Sequence, residues 1–115
     1  MKIINNKITV GELKEMSEKM FDNLVKAVVD IEKEVMVVDA LMHADQESLL
    51  LDEGSKQENL WGINLYPDKI DKQDFIEFDS MINIRPGQNN RGRGVYDSKI
   101  QDNIKKVINK LVGKQ

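Results

Sequence analysis

Phe75-Ile76-Glu77-Phe78-Asp79-Ser80-Met81-Ile82-Asn83-Ile84-Arg85-Pro86 is the stretch on which the reading of this chain turns. Successive side chains of a strand point to opposite faces. That period sets Ile76, Phe78, Ile82 and Ile84 on one face and Glu77, Asp79, Asn83 and Arg85 on the other. Pro86-Gly87 ends the run, and the polar loop Gly87-Gln88-Asn89-Asn90-Arg91-Gly92-Arg93-Gly94 follows. The pattern predicts a half-buried strand over 75–85 whose hydrogen-bonding face and exit loop frame a binding site.

Upstream, residues 60–66 predict a second such strand, with Trp61, Ile63 and Leu65 on the oily side and Gly62, Asn64 and Tyr66 opposite. Val25, Ala27, Val29 and Ile31 alternate with Lys26, Val28, Asp30 and Glu32. Beyond Lys33-Glu34, Met36, Val38, Ala40 and Met42 alternate with Val35, Val37, Asp39, Leu41 and His43, which predicts an antiparallel hairpin. Lys2 to Ile4 is a short strand candidate. Thr9-Val10-Gly11-Glu12 matches a capping box and opens a helix over 9–24 with the stripe Leu13, Met16, Met20, Phe21 and Leu24. Asp45 offers an N-cap for a short helix over 46–51 that Gly54 stops. Asp97 caps a last helix striped by Ile100, Ile104, Val107, Ile108 and Leu111, with Gly113 as its stop.

These elements predict an α+β fold, residues 1–115 forming one domain. An antiparallel sheet of about four strands carries two long amphipathic helices, N- and C-terminal, on one face, and a short helix lies between the strand pairs. The other face, with Lys26, Asp30, Glu32, Asp39, His43, Asn64, Glu77, Asp79, Asn83 and Arg85, is expected to face water.

Hydrophobic residues at 40% and charged residues at 32% describe a soluble globular chain. No apolar run approaches the roughly 20 residues of a membrane helix, so no membrane association is expected. Met1-Lys2-Ile3-Ile4-Asn5-Asn6 lacks the apolar core of a signal peptide. The absence of cysteine excludes disulfides, thiolate metal sites and a cysteine nucleophile, and with the rest predicts a cytoplasmic protein. Residues 1–84 hold nine Lys/Arg against eighteen Asp/Glu, whereas residues 85–115 hold eight against two. A body at −9 and a C-terminal quarter at +6 suit either polyanion binding or internal charge complementarity.

Several strings recur together here: Val28-Val29-Asp30-Ile31, His43-Ala44-Asp45, Gly54-Ser55-Lys56-Gln57, Leu60-Trp61-Gly62-Ile63-Asn64-Leu65-Tyr66-Pro67, Asp79-Ser80-Met81-Ile82-Asn83-Ile84-Arg85-Pro86 and Asn90-Arg91. In them the chain resembles the small bacterial family catalogued as domain of unknown function 5674. The resemblance spans nearly the whole chain and implies a stand-alone bacterial protein of this size. It carries no activity, substrate or catalytic residue with it.

The chemistry therefore rests on the residues. His43 is the only histidine; with Asp39 and Asp79 it forms a candidate acid–base or divalent-metal set, although no histidine spacing of a dedicated metal motif is present. Asn64, Asn83 and Arg85 are unusual strand residues able to offer donors, acceptors and a planar fork. Asn90, Arg91 and Arg93 sit in a glycine-rich loop suited to an anion, but without a phosphate-loop or dinucleotide fingerprint. No cofactor is implied. The leading expectation is a binding module that recognises an anionic ligand, an RNA segment or an acidic partner through Asn64, Asn83, Arg85, Asn90, Arg91 and Arg93. The alternatives are a small metal-dependent or acid–base enzyme centred on His43, and a homo-oligomerisation module.

Overall fold

The computed structural model describes residues 1–113. Its elements run β1 (Lys2–Ile4), β2 (Ile8–Thr9), α1 (Val10–Ser17), β3 (Val25–Asp30), β4 (Val35–Val38), α2 (His43–Asp52), β5 (Leu60–Leu65), β6 (Ile76–Glu77), α3 (Ser98–Leu111) and β7 (Val112–Gly113). Five strands form an antiparallel sheet in the order β1-β4-β3-β5-β6, and β2 and β7 pair in parallel as a separate ribbon. The α+β class is as expected; the sheet has one strand more, and the helices are placed differently.

The hairpin forms as its alternation requires. Val28 faces Val37 and Asp30 faces Val35. Asp30 shapes the turn, its Oδ1 accepting from the Glu32 and Lys33 amides, both at 2.9 Å, while Glu34 takes a left-handed φ of 57°. β4 stops at Val38, short of the expected Met42, because Asp39 is left-handed (φ 63°). That register would otherwise set Asp39 opposite Lys26; instead the Gln46 side chain donates to the Lys26 carbonyl at 2.7 Å.

On one face, Val25, Ala27, Val29, Met36, Val38, Trp61, Ile63 and Leu65 bury against Leu13 of α1 and Ile104, Val107, Ile108 and Leu111 of α3. The expected capping box is present: Thr9 Oγ1 accepts from the Glu12 amide and Glu12 reaches back to the Thr9 amide. Only α3 is long, however. α1 ends at Ser17, whose hydroxyl donates to the Lys14 carbonyl at 2.7 Å and competes with the helix ladder. Asp22 and Asn23 then turn left-handed, and Phe21, assigned to the core stripe, is 95% exposed. At the other end Gly113 continues into β7 instead of simply stopping α3.

The second face is not open to water. Val28, Val37 and Leu60 bury against Leu50 of α2, so helices cover both sides of the sheet. α2 begins at His43, three residues ahead of the expected start, and Asp45 lies in its first turn instead of capping it. The strand expected over 75–85 is reduced to Ile76–Glu77. Ser80 Oγ accepts from the Ile82 amide and opens a short 3-10 turn, Met81–Asn83, so the alternation assigned beyond Asp79 does not hold. Asn83 is buried and Ile84 exposed.

Ile104→Ala should cost about 2–5 kcal/mol as a buried large-to-small change. Gly62→Ala should cost about 1–3 kcal/mol, because a Cβ there would meet the Ser80 side chain at 2.6 Å. Gly87→Ala, with nothing within 4 Å, should stay within about 0.5 kcal/mol. Urea unfolding of the three variants checks the layer assignment.

Candidate functional site

β6 covers only part of the exposed edge of β5, pairing at Asn64 and Leu65. The remaining edge groups are met by side chains from the segment that follows. The Asn83 carboxamide accepts from the Gly62 amide at 2.8 Å and donates to the Gly62 carbonyl at 2.9 Å, replacing a strand residue. Arg85 donates to the Leu60 and Gln57 carbonyls and stacks on Trp61, 4.2 Å from the ring centroid. Burial pushes the Arg85 guanidinium below its ordinary range, and Glu47 acts in the opposite sense. Asn90 organises the loop: its Nδ2 donates to Asn83 O at 2.8 Å and Gly94 O at 2.7 Å, and its Oδ1 accepts from the Tyr96 amide at 3.1 Å.

Asn83, Arg85 and Asn90 are thus absorbed into the backbone's own hydrogen bonding. Arg85 pairs with neither Asp79 nor Glu77. Arg91 is exposed and makes no ion pair among the described residues. Asp39 lines a small cleft of about 120 Å³ with Met16, Met20 and Leu41, and His43 is not part of that lining. Among the described residues no three His, Asp or Glu side chains are grouped to hold a metal ion, so His43, Asp39 and Asp79 do not form such a set.

The remaining candidates converge. His43, Asn64, Asp79 and Arg93, joined by Lys26, line one cleft of about 230 Å³. Four segments supply them: β3, the start of α2, β5, and the covering segment over 79–94. The exposed side chains of Met42 and Met81 border it. Arg93 Nε donates to Asp79 Oδ1 at 2.7 Å. Asn64 Nδ2 donates to Glu77 Oε1 at 2.8 Å and approaches the Asp79 carbonyl at 3.4 Å. Tyr66 also donates to Glu77 Oε1, at 3.0 Å; burial first and this bond second push its phenol up to about 12.

His43 Nε2 lies 2.8 Å from the Ile63 carbonyl. A carbonyl only accepts, so Nε2 carries the proton and Nδ1 of the neutral ring holds a lone pair. Burial lowers the His43 pKa; the Ile63 bond raises it, Lys26 lowers it, Asp79 raises it and Arg93 lowers it, in decreasing order. Burial, the largest of these influences, favours the neutral ring. α2 enters this cleft through Met42, His43 and Ala44, and no side chain caps it. The first amides of a helix have no partner within it and lie at its positive end.

Sequence reasoning placed Lys26 on this face without selecting it and missed the α2 N-terminus. The available signal was negative: no Ser, Thr, Asn or Asp stands at Met42, where a capped helix would carry one.

A sheet covered on both sides by helices, with one edge sealed by side chains, defines a mixed α+β protein. The chain belongs to the family described as protein of unknown function (DUF5674), whose model matches residues 2–111. No curated protein and no solved structure matches it.

Arg85→Ala should lower stability by about 1–3 kcal/mol, since it leaves the Leu60 carbonyl without its side-chain donor, and urea unfolding measures this. For His43 the folded pKa lies below 6.5, so the unfolded chain protonates first as the pH falls. Its stabilising contribution is complete above that value and is lost on descending through the folded pKa. Between about pH 7 and pH 5 the urea midpoint of the wild-type chain should fall more steeply than that of His43→Gln, which keeps a donor for Ile63.

Proposed function

We propose that this chain is a binding module of the bacterial cytoplasm that takes a small oxyanion into the cleft at the start of α2. One observation carries the reading: the uncapped end of a ten-residue helix, Lys26 and Arg93 meet around the same space. A helix N-terminus presents about half a positive charge together with amide donors. Arg93 uses Nε on Asp79, which leaves its two Nη groups for another acceptor. Asp79 offsets one of the two cations and Glu77 stands behind Asn64, so the helix end is what tips the cleft towards an anion. Asp45, in the first turn of α2, is exposed and accepts no hydrogen bond from it among the described residues. A space of about 230 Å³ suits a phosphate- or carboxylate-sized group, being smaller than the roughly 300–1,000 Å³ of sites for larger molecules.

An RNA segment or an extended acidic partner is supported less well. Arg85 is held internally and Arg93 is paired, so of the three arginines in this segment only Arg91 stands in water without a charge partner among the described residues. Proton transfer by His43 is a second reading, favoured by the unprotonated Nδ1 of a ring that lines the cleft. Turnover that disappears in His43→Gln while oxyanion binding persists would support it.

Inorganic phosphate, titrated at low ionic strength and followed through the Ala44 and Asp45 amide resonances, tests the main reading. Lys26→Ala and Arg93→Ala should each weaken binding roughly tenfold, the scale of a lost charge-assisted hydrogen bond. Arg91→Ala should change it little. Equal losses in all three variants would point to diffuse electrostatics and overturn the site.

A further inference from the structure

We infer that the ligand of this cleft is a small amphiphilic anion, an oxyanion group bearing a short apolar tail that lies in the adjoining cleft of Met16, Met20 and Leu41. The inference rests on the oxyanion reading above and names the ligand class that reading leaves open.

Its basis is that the two clefts adjoin. Lys26 lines both. The chain leaving β4 also passes from one to the other without a break: Asp39, Ala40 and Leu41 line the apolar cleft, and Met42, His43 and Ala44 line the oxyanion cleft. The left-handed Asp39 ends the pairing of β4 and frees Leu41 and Met42 from the sheet. Both stand in water, 72% and 56% exposed. Large apolar side chains left exposed around a cleft mark a place for an apolar group.

The linings sort a head from a tail. Met16, Met20, Val25, Ala40 and Leu41 make the first cleft largely apolar, and its Lys19 and Asp39 bring one charge of each sign. Methionines adapt to apolar groups of varied shape, and a lysine stem is itself apolar. The charge of Lys26 acts on His43, which belongs to the oxyanion cleft. Neither space alone, at about 120 and 230 Å³, reaches the roughly 300–1,000 Å³ of small-molecule sites, and the two joined do. A tail of about four carbons would leave water along the methionines, each buried methylene strengthening binding roughly two- to fourfold. The apolar cleft is too small for the paired long chains of a membrane lipid, so the ligand is a free small molecule.

The experiment titrates the intact chain at pH 7 and matched ionic strength with inorganic phosphate, methyl phosphate, butyl phosphate and butanol. The Ala44 and Asp45 amides report the anion, and the methyl groups of Met16 and Met20 report the tail. Butyl phosphate should bind about tenfold tighter than methyl phosphate, or more, and alone among the anions should move the methionine methyls. Leu41→Asn, at an exposed position, and Met20→Gln should each shrink that gain severalfold while methyl phosphate binds as before. Equal binding of butyl and methyl phosphate, or a gain that survives both variants, overturns the tail site and leaves the oxyanion reading standing. Butanol binding as tightly as butyl phosphate overturns the link between the clefts. Vesicles of anionic phospholipid that bind the chain and move the methionine methyls more than butyl phosphate does assign the tail to a membrane surface and overturn the small-molecule ligand. Saturable binding of none of the three anions overturns both readings.

Discussion

The Asn83 carboxamide seated on both backbone groups of Gly62 is the contact on which the rest of the sheet's second face depends. An interior strand edge must have its N–H and C=O groups met, and a second full strand would ordinarily do so. Here one side chain satisfies Gly62 and the chain is released from the ladder two residues after β6 begins. Gly62 has to lack a Cβ for this to work, because Ser80 occupies the space one would need. Freed from pairing, residues 79–94 fold back over β5 and bring Asp79 and Arg93 beside His43 and Asn64. The cleft is thus a product of how an edge is sealed.

α2 is held to the same face by polar contacts as well as by Leu50. His43 donates to Ile63 and Gln46 donates to Lys26, so the first turn of the helix is fastened to two adjacent strands through their carbonyls. This has an electrostatic consequence. Burial favours the neutral imidazole while the Ile63 bond works against it, and a neutral ring spares the cleft a third cation. An uncapped helix end is ordinarily a small loss of stability. In this position it leaves amide donors facing a space that charged side chains already border.

Much of the architecture was legible. The spacing of Val25, Ala27 and Val29, a turn at Lys33-Glu34, the Thr9–Glu12 box and the α3 stripe each encode their element locally, and each formed. The covered second face was also signalled, by the Val28-Val29 and Val37-Val38 pairs that interrupt alternation with a buried residue on both sides. What the pattern could not supply was competition from side chains. Residues 75–85 alternate well enough for a strand, yet Ser80 offers the Ile82 amide a partner two residues away, and Asn83 turns to Gly62 of β5, 21 residues away in sequence. Of the candidate residues, His43, Asn64, Asp79 and Arg93 share a cleft. Asn83, Arg85 and Asn90 attracted notice for the right chemical reason, their capacity for several hydrogen bonds, but that capacity is directed at the chain itself.

Charge composition illustrates the same limit. The basic quarter suggests a polyanion-binding surface, but its cations are divided among several tasks. Arg85 lies over Trp61, Arg93 faces Asp79, and Lys110 faces Glu34 across from α3. Lys99, Lys105 and Lys106 are exposed along α3, away from the cleft lining. The cation that joins Arg93 at the cleft is Lys26, from the acidic part of the sequence, and the third positive element is a helix end that no count of side chains includes. Arg85 shows why placement outweighs tally. The Leu60 carbonyl lies at the start of β5 and that of Gln57 in the turn just before it, and a planar guanidinium with several fixed donors can meet both while its face rests on an indole. A lysine would bring the same charge without that geometry. Backbone acceptors thus decide where Arg85 goes, and the charged groups left at the cleft are those that this edge did not need.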